Sequence, residues 1–168
     1  ELFLLPYFEG SGTPTFNRKA RGVFLGLTLA HSKNDVLRAI LEGLSYELRR
    51  NIEAIEEQRT EITEIRAIGG GARSDFWSQL KADITGKPLV VPNVTEAAAL
   101  GAAILAGVGS GIYESAERAV KTVYREKSRF SPRLVHVKRY DRYYRVYRRI
   151  YEPLIEIFDE IYKLTEEN

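Results

Sequence analysis

The chain has 168 residues, enough to bury one hydrophobic core, and we therefore expect a single domain over residues 1–168. Its net charge of +2 gives no broad positive field for nucleic acid or an anionic membrane, so a small molecule or a protein is the expected partner. The absence of cysteine excludes disulfides, thiolate metal sites and cysteine nucleophiles, and the lack of a secretory leader in this sequence predicts a cytoplasmic location.

The first predicted elements are an extended edge and a long helix. Residues 2–8 form a short apolar run, followed over residues 9–28 by a segment rich in Gly, Thr and Arg that we interpret as a loop. Ser32 and Asp35 have the spacing of a capping box, which starts many helices. Apolar residues then recur every three or four positions and predict an amphipathic helix to about residue 57: Val36, Leu37, Ile40, Leu41, Leu44, Leu48, Ile52 and Ile55.

The middle of the chain alternates between strands and helices. Residues 61–68 predict a strand that runs directly into three glycines, after which Ser74 is placed to cap a helix and Gly86 to end it. Residues 89–91 predict a second strand, and residues 96–107 a helix whose alanines and glycines permit close approach to a sheet. This element order predicts an α/β fold.

The C-terminal part is predicted to be helical. A short helix over residues 115–123 and a loop through Pro132 lead to a tail in which large residues step by four and three: Tyr140, Tyr144, Tyr147, Tyr151, Leu154, Phe158 and Ile161. We interpret the tail as a long helix packed along its own domain. A seam between two chains is the alternative, although fewer than four heptads are present.

The three glycines raise the question of a ligand. Between a strand and a helix, backbone without side chains lets a phosphate or a nucleoside lie directly against the main chain. A tight turn with one left-handed residue would use the same glycines. The dinucleotide fingerprint and the Walker lysine motif are both absent, so neither common phosphate motif identifies the ligand.

Other chemistry-bearing residues favour structural roles. Asp83 and Glu96 could form a carboxylate pair, but each is predicted near a helix end, where acids have ordinary structural uses. His31 and His136 lie far apart, with no acid or nucleophile pattern around them, so neither a metal site nor a catalytic triad is predicted. Trp77 has helical spacing from the next apolar residue and is interpreted as core rather than as a stacking platform.

Two long runs resemble a known family. Residues 69–113 read GGGARSDFWSQLKADITGKPLVVPNVTEAAALGAAILAGVGSGIY, and residues 13–49 contain Ala-Arg-Gly, Gly-Leu-Thr and Arg-Ala-x-x-Glu-Gly landmarks in order. Both runs are similar to the C-terminal domain of the FGGY carbohydrate kinases and, within that family, to its xylulokinase branch. The tyrosine-rich tail resembles the same branch.

The resemblance implies a fold and a nucleotide site. The fold would be a partial ribonuclease H-like domain, of the type found in actin, Hsp70 and hexokinase, with a long C-terminal helix. ATP would bind at Gly69, Gly70, Gly71, Ala72 and Ser74. In this arrangement the adenosine lies on the glycine backbone, Ala72 lines the pocket and Ser74 lies beside the adenine. Arg73 would either follow the nucleotide or remain a solvated surface residue.

The resemblance also implies that much of the enzyme lies outside this chain. In the family, the sugar-binding domain, the catalytic residues and the Mg²⁺ site precede residue 1, so no catalytic or metal-binding residue is assigned here. The chain contains no methionine, which agrees with an excerpt of a longer protein. We expect the N-terminal kinase domain, in cis or in trans, to supply the first three strands of the core, and we expect the unfinished sheet to favour association, including homo-oligomers.

The function expected from these observations is the ATP-binding part of a carbohydrate kinase, with xylulose as the sugar and the chain inactive alone. Ser11 and Gly12 replace a Glu-Arg pair that many xylulokinases carry, so other acceptors such as glycerol, gluconate or ribulose stay open. The alternative is a non-catalytic kinase remnant, or an assembly module that oligomerises through the tyrosine-rich helix.

Overall fold

A computed structural model describes residues 1–166. The strands within them are β1 Phe3–Leu5, β2 Val23–Leu25, β3 Ile65–Arg66, β4 Leu89–Pro92 and β5 Glu126–Phe130. The helices are α1 Lys33–Glu56, α2 Asp75–Thr85, α3 Ala97–Gly109, α4 Ala116–Val123, α5 Leu134–Tyr147 and α6 Ile155–Glu166. Short 3-10 turns lie at Gly70–Arg73 and Glu152–Leu154. The predicted mixture of helices and strands is confirmed.

Two small sheets organise the strands. In the first, β1 and β2 pair antiparallel. In the second the order is β3-β4-β5, where β3 runs parallel to β4 and β5 runs antiparallel to it. One face of this second sheet forms a small core with α2, in which Leu89 and Val91 pack near Ala82.

Two strands lie where loops were predicted, and these predictions are wrong. The strand β5 has the sequence EKSRF, without apolar alternation, because charged contacts take the place of core packing: Arg129 bonds both Glu64 and Glu126. The strand β2 lies inside the Gly-rich segment and leaves two of its three residues exposed. The strand predicted over residues 61–68 is correct in place but pairs only at Ile65–Arg66.

Helix α1 begins and ends as predicted, but only part of its apolar side is buried. Its capping box is present, since Asp35 accepts the backbone N–H of Ser32 at 2.7 Å and the Ser32 side chain accepts in return. The buried residues include Glu42, whereas Leu37, Leu44 and Ile55 are 50%, 39% and 47% exposed. We call these three residues the α1 stripe. Part of the predicted apolar periodicity therefore lies outside the core of this chain.

Helix α5, the first of the two helices in the C-terminal tail, explains which face of α1 is buried. Its tyrosine hydroxyls donate to glutamates of α1: Tyr140 to Glu42 at 2.9 Å, Tyr144 to Glu53 at 2.8 Å and Tyr147 to Glu47 at 2.7 Å. We call these three pairs the tyrosine ladder. Because buried acids and hydroxyls need partners, the ladder holds the polar side of α1 against the tail and turns the α1 stripe outward.

The tail therefore packs along its own domain, as its favoured interpretation predicted. Tyr140, Tyr144, Tyr147 and Tyr151 are all buried within the chain, so they offer no exposed seam to a second chain. The helix is not continuous, because Pro153 lies in the 3-10 turn that separates α5 from α6. The step of four and three continues across that break to Phe158, which is also buried.

The ladder makes the fold sensitive to alkali. Burial, followed by the nearby Glu42, raises the pKa of Tyr140 to about 12, and burial likewise raises the pKa of Tyr144 and Tyr147. The unfolded chain releases these protons from about pH 10, so stability is complete below that pH and is lost as the pH rises toward the folded-state values. We expect ionisation of the three ladder tyrosines and loss of the circular dichroism signal to appear together above pH 10.

The matched control is Tyr144→Phe, which keeps the ring and removes one ionisable hydroxyl. Its unfolding should depend less steeply on pH above 10 than that of the wild type. Ionisation of nearly all tyrosines while the helical signal persists would show that the ladder hydroxyls are accessible, and this prediction would then be wrong.

Candidate functional site

The glycine turn connects β3 to α2. Gly69 has a φ of 74°, and its N–H donates to the Thr95 carbonyl at 3.0 Å, while its own carbonyl accepts the Ala72 N–H at 3.1 Å. The 3-10 turn then passes directly into α2 at Ser74. The entry to the turn is therefore held against the segment that precedes α3.

The fold requires glycine at two of the three glycine positions in the turn. Gly69 needs a left-handed conformation that side chains disfavour. A Cβ on Gly71 would lie 2.8 Å from Cζ3 of Trp77, so packing within the chain requires glycine there. Gly70 has neither constraint, since a Cβ added to it would meet no atom within 4 Å. Open space lies beside both Gly69 and Gly70, but only at Gly70 does neither backbone conformation nor packing require a glycine.

The Trp77 ring packs next to Gly71. Its indole N–H lies 3.3 Å from the Leu41 carbonyl and 3.2 Å from the Ser45 hydroxyl of α1, so the ring is fixed in the α1–α2 contact. The interpretation of Trp77 as a packing residue is confirmed.

The Lys81 ammonium lies 3.7 Å from the centre of this ring, and burial lowers its pKa. Sequence reasoning missed Lys81, although its spacing of four from Trp77 would have placed it on the same helix face.

Ser74 and Ala72 contribute in different ways. The Ser74 hydroxyl oxygen accepts the Trp77 N–H at 3.2 Å, which confirms the predicted cap. The side chain is exposed, and its hydroxyl hydrogen can still be donated to a ligand. Ala72 is 3% exposed, and its methyl group packs with Ala82 and Leu89. Ala72 can therefore offer a ligand little beyond its backbone.

The predicted acids have separate arginine partners. Glu96 accepts from Arg73 at 2.9 Å across the exposed side of the turn, an ion pair worth little stability in water. The pair nevertheless adds a second link between the turn and the start of α3. Asp83 is fully buried and binds Arg133 instead. Their interpretation as structural residues agrees with these contacts, and the two do not form a catalytic pair.

The described residues also bear on the questions of clustered metal ligands and membrane-spanning helices. Among residues 1–166 no group of three or more histidines, aspartates and glutamates is arranged to hold a metal ion. His31 is used locally, where its Nδ1 accepts the Thr28 N–H at 2.9 Å. None of the helices described is both long and apolar enough to cross a membrane.

The arrangement offers contacts through which the turn could bind a ligand. Open backbone at Gly70 can support the flat face of a nucleoside, and the nearby Ser74 hydroxyl can bond a purine nitrogen. Of the acids beside the turn, Glu96 is paired with Arg73, and Asp75 lies exposed in the first turn of α2. Gly69, Gly70, Gly71, Ala72 and Ser74 thus lie in one turn, and their role toward a nucleotide stays a prediction.

Comparisons with known proteins show which family the chain belongs to. A model of the FGGY family of carbohydrate kinases, C-terminal domain, matches residues 1–110. The xylulose kinase of Bacillus subtilis is 35% identical over 150 residues, which are 89% of this chain and 30% of that protein. The glycerol kinase of Shewanella frigidimarina is 37% identical over 131 residues, or 77% of this chain and 26% of that protein.

A solved structure shows the same relationship. The ligand-bound xylulose kinase of Lactobacillus acidophilus superimposes with a TM-score of 0.85 and 27% identity, covering 95% of this chain and 32% of that one. This chain thus spans between a quarter and a third of the length of these relatives.

Proposed function

Because this chain belongs to the FGGY family of carbohydrate kinases, we propose that it is the ATP-binding C-terminal part of a kinase that phosphorylates a sugar hydroxyl. Family membership rests on the match over residues 1–110, and the likeness to solved kinases of the family confirms the predicted ribonuclease H-like fold. The single observation that carries the binding role is the open backbone at Gly70, which packing within the chain does not explain.

The residues of the turn have distinct parts in this proposal. Gly69 fixes the path of the turn, Gly70 supports the nucleoside, and the Ser74 hydroxyl donates to the purine. ATP would supply the transferred phosphoryl group. The base for the sugar hydroxyl and the ligands for Mg²⁺ would come from the remaining part of the kinase, since phosphoryl transfer needs both. The proposed location is the cytoplasm.

Xylulose is the proposed acceptor. The support comes from the Bacillus subtilis and Lactobacillus acidophilus relatives, which are both xylulose kinases. Glycerol is the competing acceptor, because the Shewanella frigidimarina glycerol kinase is similar to nearly the same degree. The nucleotide turn lies in the part that all of them share, so the chain itself supports a nucleotide role more directly than a choice of sugar.

The test is ATP consumption by the full-length kinase with separate acceptors: xylulose, ribulose, gluconate and glycerol. We expect ADP release that depends on xylulose. ADP release that depends on glycerol alone would identify glycerol, rather than xylulose, as the acceptor, and the proposed kinase activity would stand. If ATP binds but no acceptor stimulates ADP release, the protein is a non-catalytic relative.

Ser74→Ala should weaken nucleotide binding without removing it. Loss of one hydrogen bond to the purine is expected to raise the Kd for ADP roughly 5–10-fold, corresponding to about 1 kcal/mol. Loss of the helix cap lowers stability by about 1 kcal/mol as well. Calorimetric titration with ADP checks the first effect, and thermal unfolding checks the second.

Ser115→Ala is a control for the second effect. Ser115 caps α4 with the same geometry, accepting the Arg118 N–H, but lies outside the turn. It should lower stability to a similar extent and leave the Kd for ADP unchanged. An unchanged Kd in Ser74→Ala as well would remove Ser74 from the proposed site.

A further inference from the structure

Lys81 is a cation beside the glycine turn that has no acid next to it. The residue lies on α2 and is half-buried, and its ammonium group covers the Trp77 ring at 3.7 Å from the ring centre. Among residues 1–166 no carboxylate pairs with this ammonium, and burial alone lowers its pKa. Because burial of a charge without a partner is costly, a half-buried cation gains stability from an incoming anion.

The ammonium lies directly against the turn. A Cβ added to Gly71 would lie 3.6 Å from Lys81 Nζ and 2.8 Å from Cζ3 of Trp77. The hydrogen bonds of the Trp77 indole to α1 fix the ring, so the lysine lies on a rigid surface. Long helical side chains lean toward the helix N-terminus, which is the direction of the turn. Lys81 thus places a positive charge next to the backbone on which we propose that the nucleoside lies.

Lys81 also shares a face of α2 with Ser74. Trp77 lies between them in the sequence, at spacings of three and four, so the three side chains follow one side of the helix. The Cα atoms of Ser74 and Lys81 are about 10 Å apart along the helix axis. In a nucleotide the base and the phosphates lie at opposite ends of the ribose. A base bound at the Ser74 hydroxyl can therefore direct its phosphates along this face toward Lys81.

Arg73 is a second cation at the turn, but it already has a partner. Its guanidinium donates to Glu96 at 2.9 Å, and both side chains are mostly exposed, so water hydrates the pair as well. Lys81 has no such acid, and the Trp77 ring shields part of it from water. Charge interactions are stronger where water is partly excluded. Of these two cations, Lys81 therefore gains more from an anionic ligand.

We infer that the Lys81 ammonium binds a phosphate oxygen of the nucleotide and makes the turn selective for nucleotides over nucleosides. This inference rests on the proposed function, in which ATP lies on the turn. An ammonium group is a compact charge with three N–H donors, which suits phosphate oxygens. A carboxylate from the remaining part of the kinase is the competing partner for the same group.

The test measures the Kd values of ADP and adenosine for the full-length kinase by isothermal titration. Lys81→Met removes the charge and keeps an unbranched side chain on the Trp77 ring. The Kd for ADP should rise about 10-fold, corresponding to about 1.4 kcal/mol, whereas the Kd for adenosine should stay within about 2-fold. The melting temperature without ligand should not fall, because the substitution removes a half-buried charge.

Two variants and a labelling experiment serve as controls. Lys121→Met removes the same charge from an exposed position on α4 and should change neither Kd. Lys81→Arg keeps a positive charge beside the turn and should restore part of the preference for ADP that Lys81→Met loses. In the wild type, ADP should protect Lys81 from acylation by an amine reagent, as read by mass spectrometry, and adenosine should not.

Three results would overturn the inference. The first is an unchanged Kd for ADP in Lys81→Met. The second is an equal rise in the Kd values of ADP and adenosine, which would assign the effect to the nucleoside contact. The third is wild-type affinity for ADP together with a lower melting temperature of unliganded Lys81→Met, which would identify a carboxylate of the remaining kinase as the partner.

Failure of the proposed function gives a different result. If the wild-type kinase binds neither ADP nor adenosine, the proposed function fails, and the role of Lys81 fails with it. If the wild type binds ADP but Lys81→Met binds it equally well, the nucleotide-binding role of the turn stands and only the role of Lys81 is wrong.

Discussion

Gly70→Val in the full-length kinase is expected to raise the Kd for ADP at least about 100-fold and to leave the circular dichroism spectrum unchanged. The isopropyl group would occupy the open space above the turn, where the proposed nucleoside lies against the backbone. The φ of Gly70 is not positive, so a side chain can be accepted without backbone strain. A 100-fold change corresponds to about 2.7 kcal/mol, a reasonable loss when a contact face is blocked.

Gly71→Val is the matched control, one residue further along the same turn. Here the new side chain would press on Trp77, whose ring is fixed by hydrogen bonds to Leu41 and Ser45. Overpacking of this kind typically costs about 1–3 kcal/mol, so this variant should unfold at a lower temperature. Isothermal titration with ADP and thermal melts on both variants separate the two effects. Wild-type affinity in Gly70→Val would show that no nucleoside lies at Gly70.

The second large effect concerns stability at the contact between α2 and α5. Asp83 is fully buried and accepts from the Arg133 backbone N–H at 2.8 Å, from Arg133 Nε at 3.0 Å and from Gln79 Nε2 at 3.0 Å. Arg133→Met would leave this carboxylate buried without its cation. We expect the free energy of unfolding to fall by about 3 kcal/mol, the lower end for a buried pair because Arg133 itself is partly hydrated.

A double variant distinguishes charge from packing. In Asp83→Asn combined with Arg133→Met, the amide oxygen can still accept the backbone N–H of residue 133, and no charge remains buried. This protein should be more stable than Arg133→Met alone by at least about 1 kcal/mol in urea unfolding. If the second substitution instead lowers stability further, the buried charge does not cause the loss.

The sequence predicted most helices well because their ends carry local signals. Ser32, Ser74 and Ser115 cap helices through contacts three residues away, and Gly86 ends α2 with a φ of 68°. The strands were harder, since pairing joins distant segments. β5 is recognisable only when Arg129 is known to meet Glu64, which lies 65 residues earlier.

The direction in which α1 faces could not be predicted for a related reason. Periodicity showed an apolar side of the helix but not which surface would cover it. The structure instead buries Glu42 and half-buries Glu47, because tyrosines of α5 supply their hydrogen bonds across about 100 residues of sequence. At the site, the sequence pattern located the turn but could not show that its three glycines have different structural roles. Those roles follow from the position of the Trp77 ring next to Gly71 and from the open space at Gly70.

The tyrosine ladder also limits how such proteins can be recombined. The family match ends at residue 110, but the tail beyond it packs on α1 through Tyr140, Tyr144 and Tyr147. A chimeric enzyme joined near residue 110 would set one parent's tyrosines against another parent's helix. Where the other parent's α1 lacks the matching glutamate, a buried tyrosine hydroxyl is left without its acceptor. Exchange between relatives should therefore move α1 and α5 as one unit, although about 80 residues separate them in the chain.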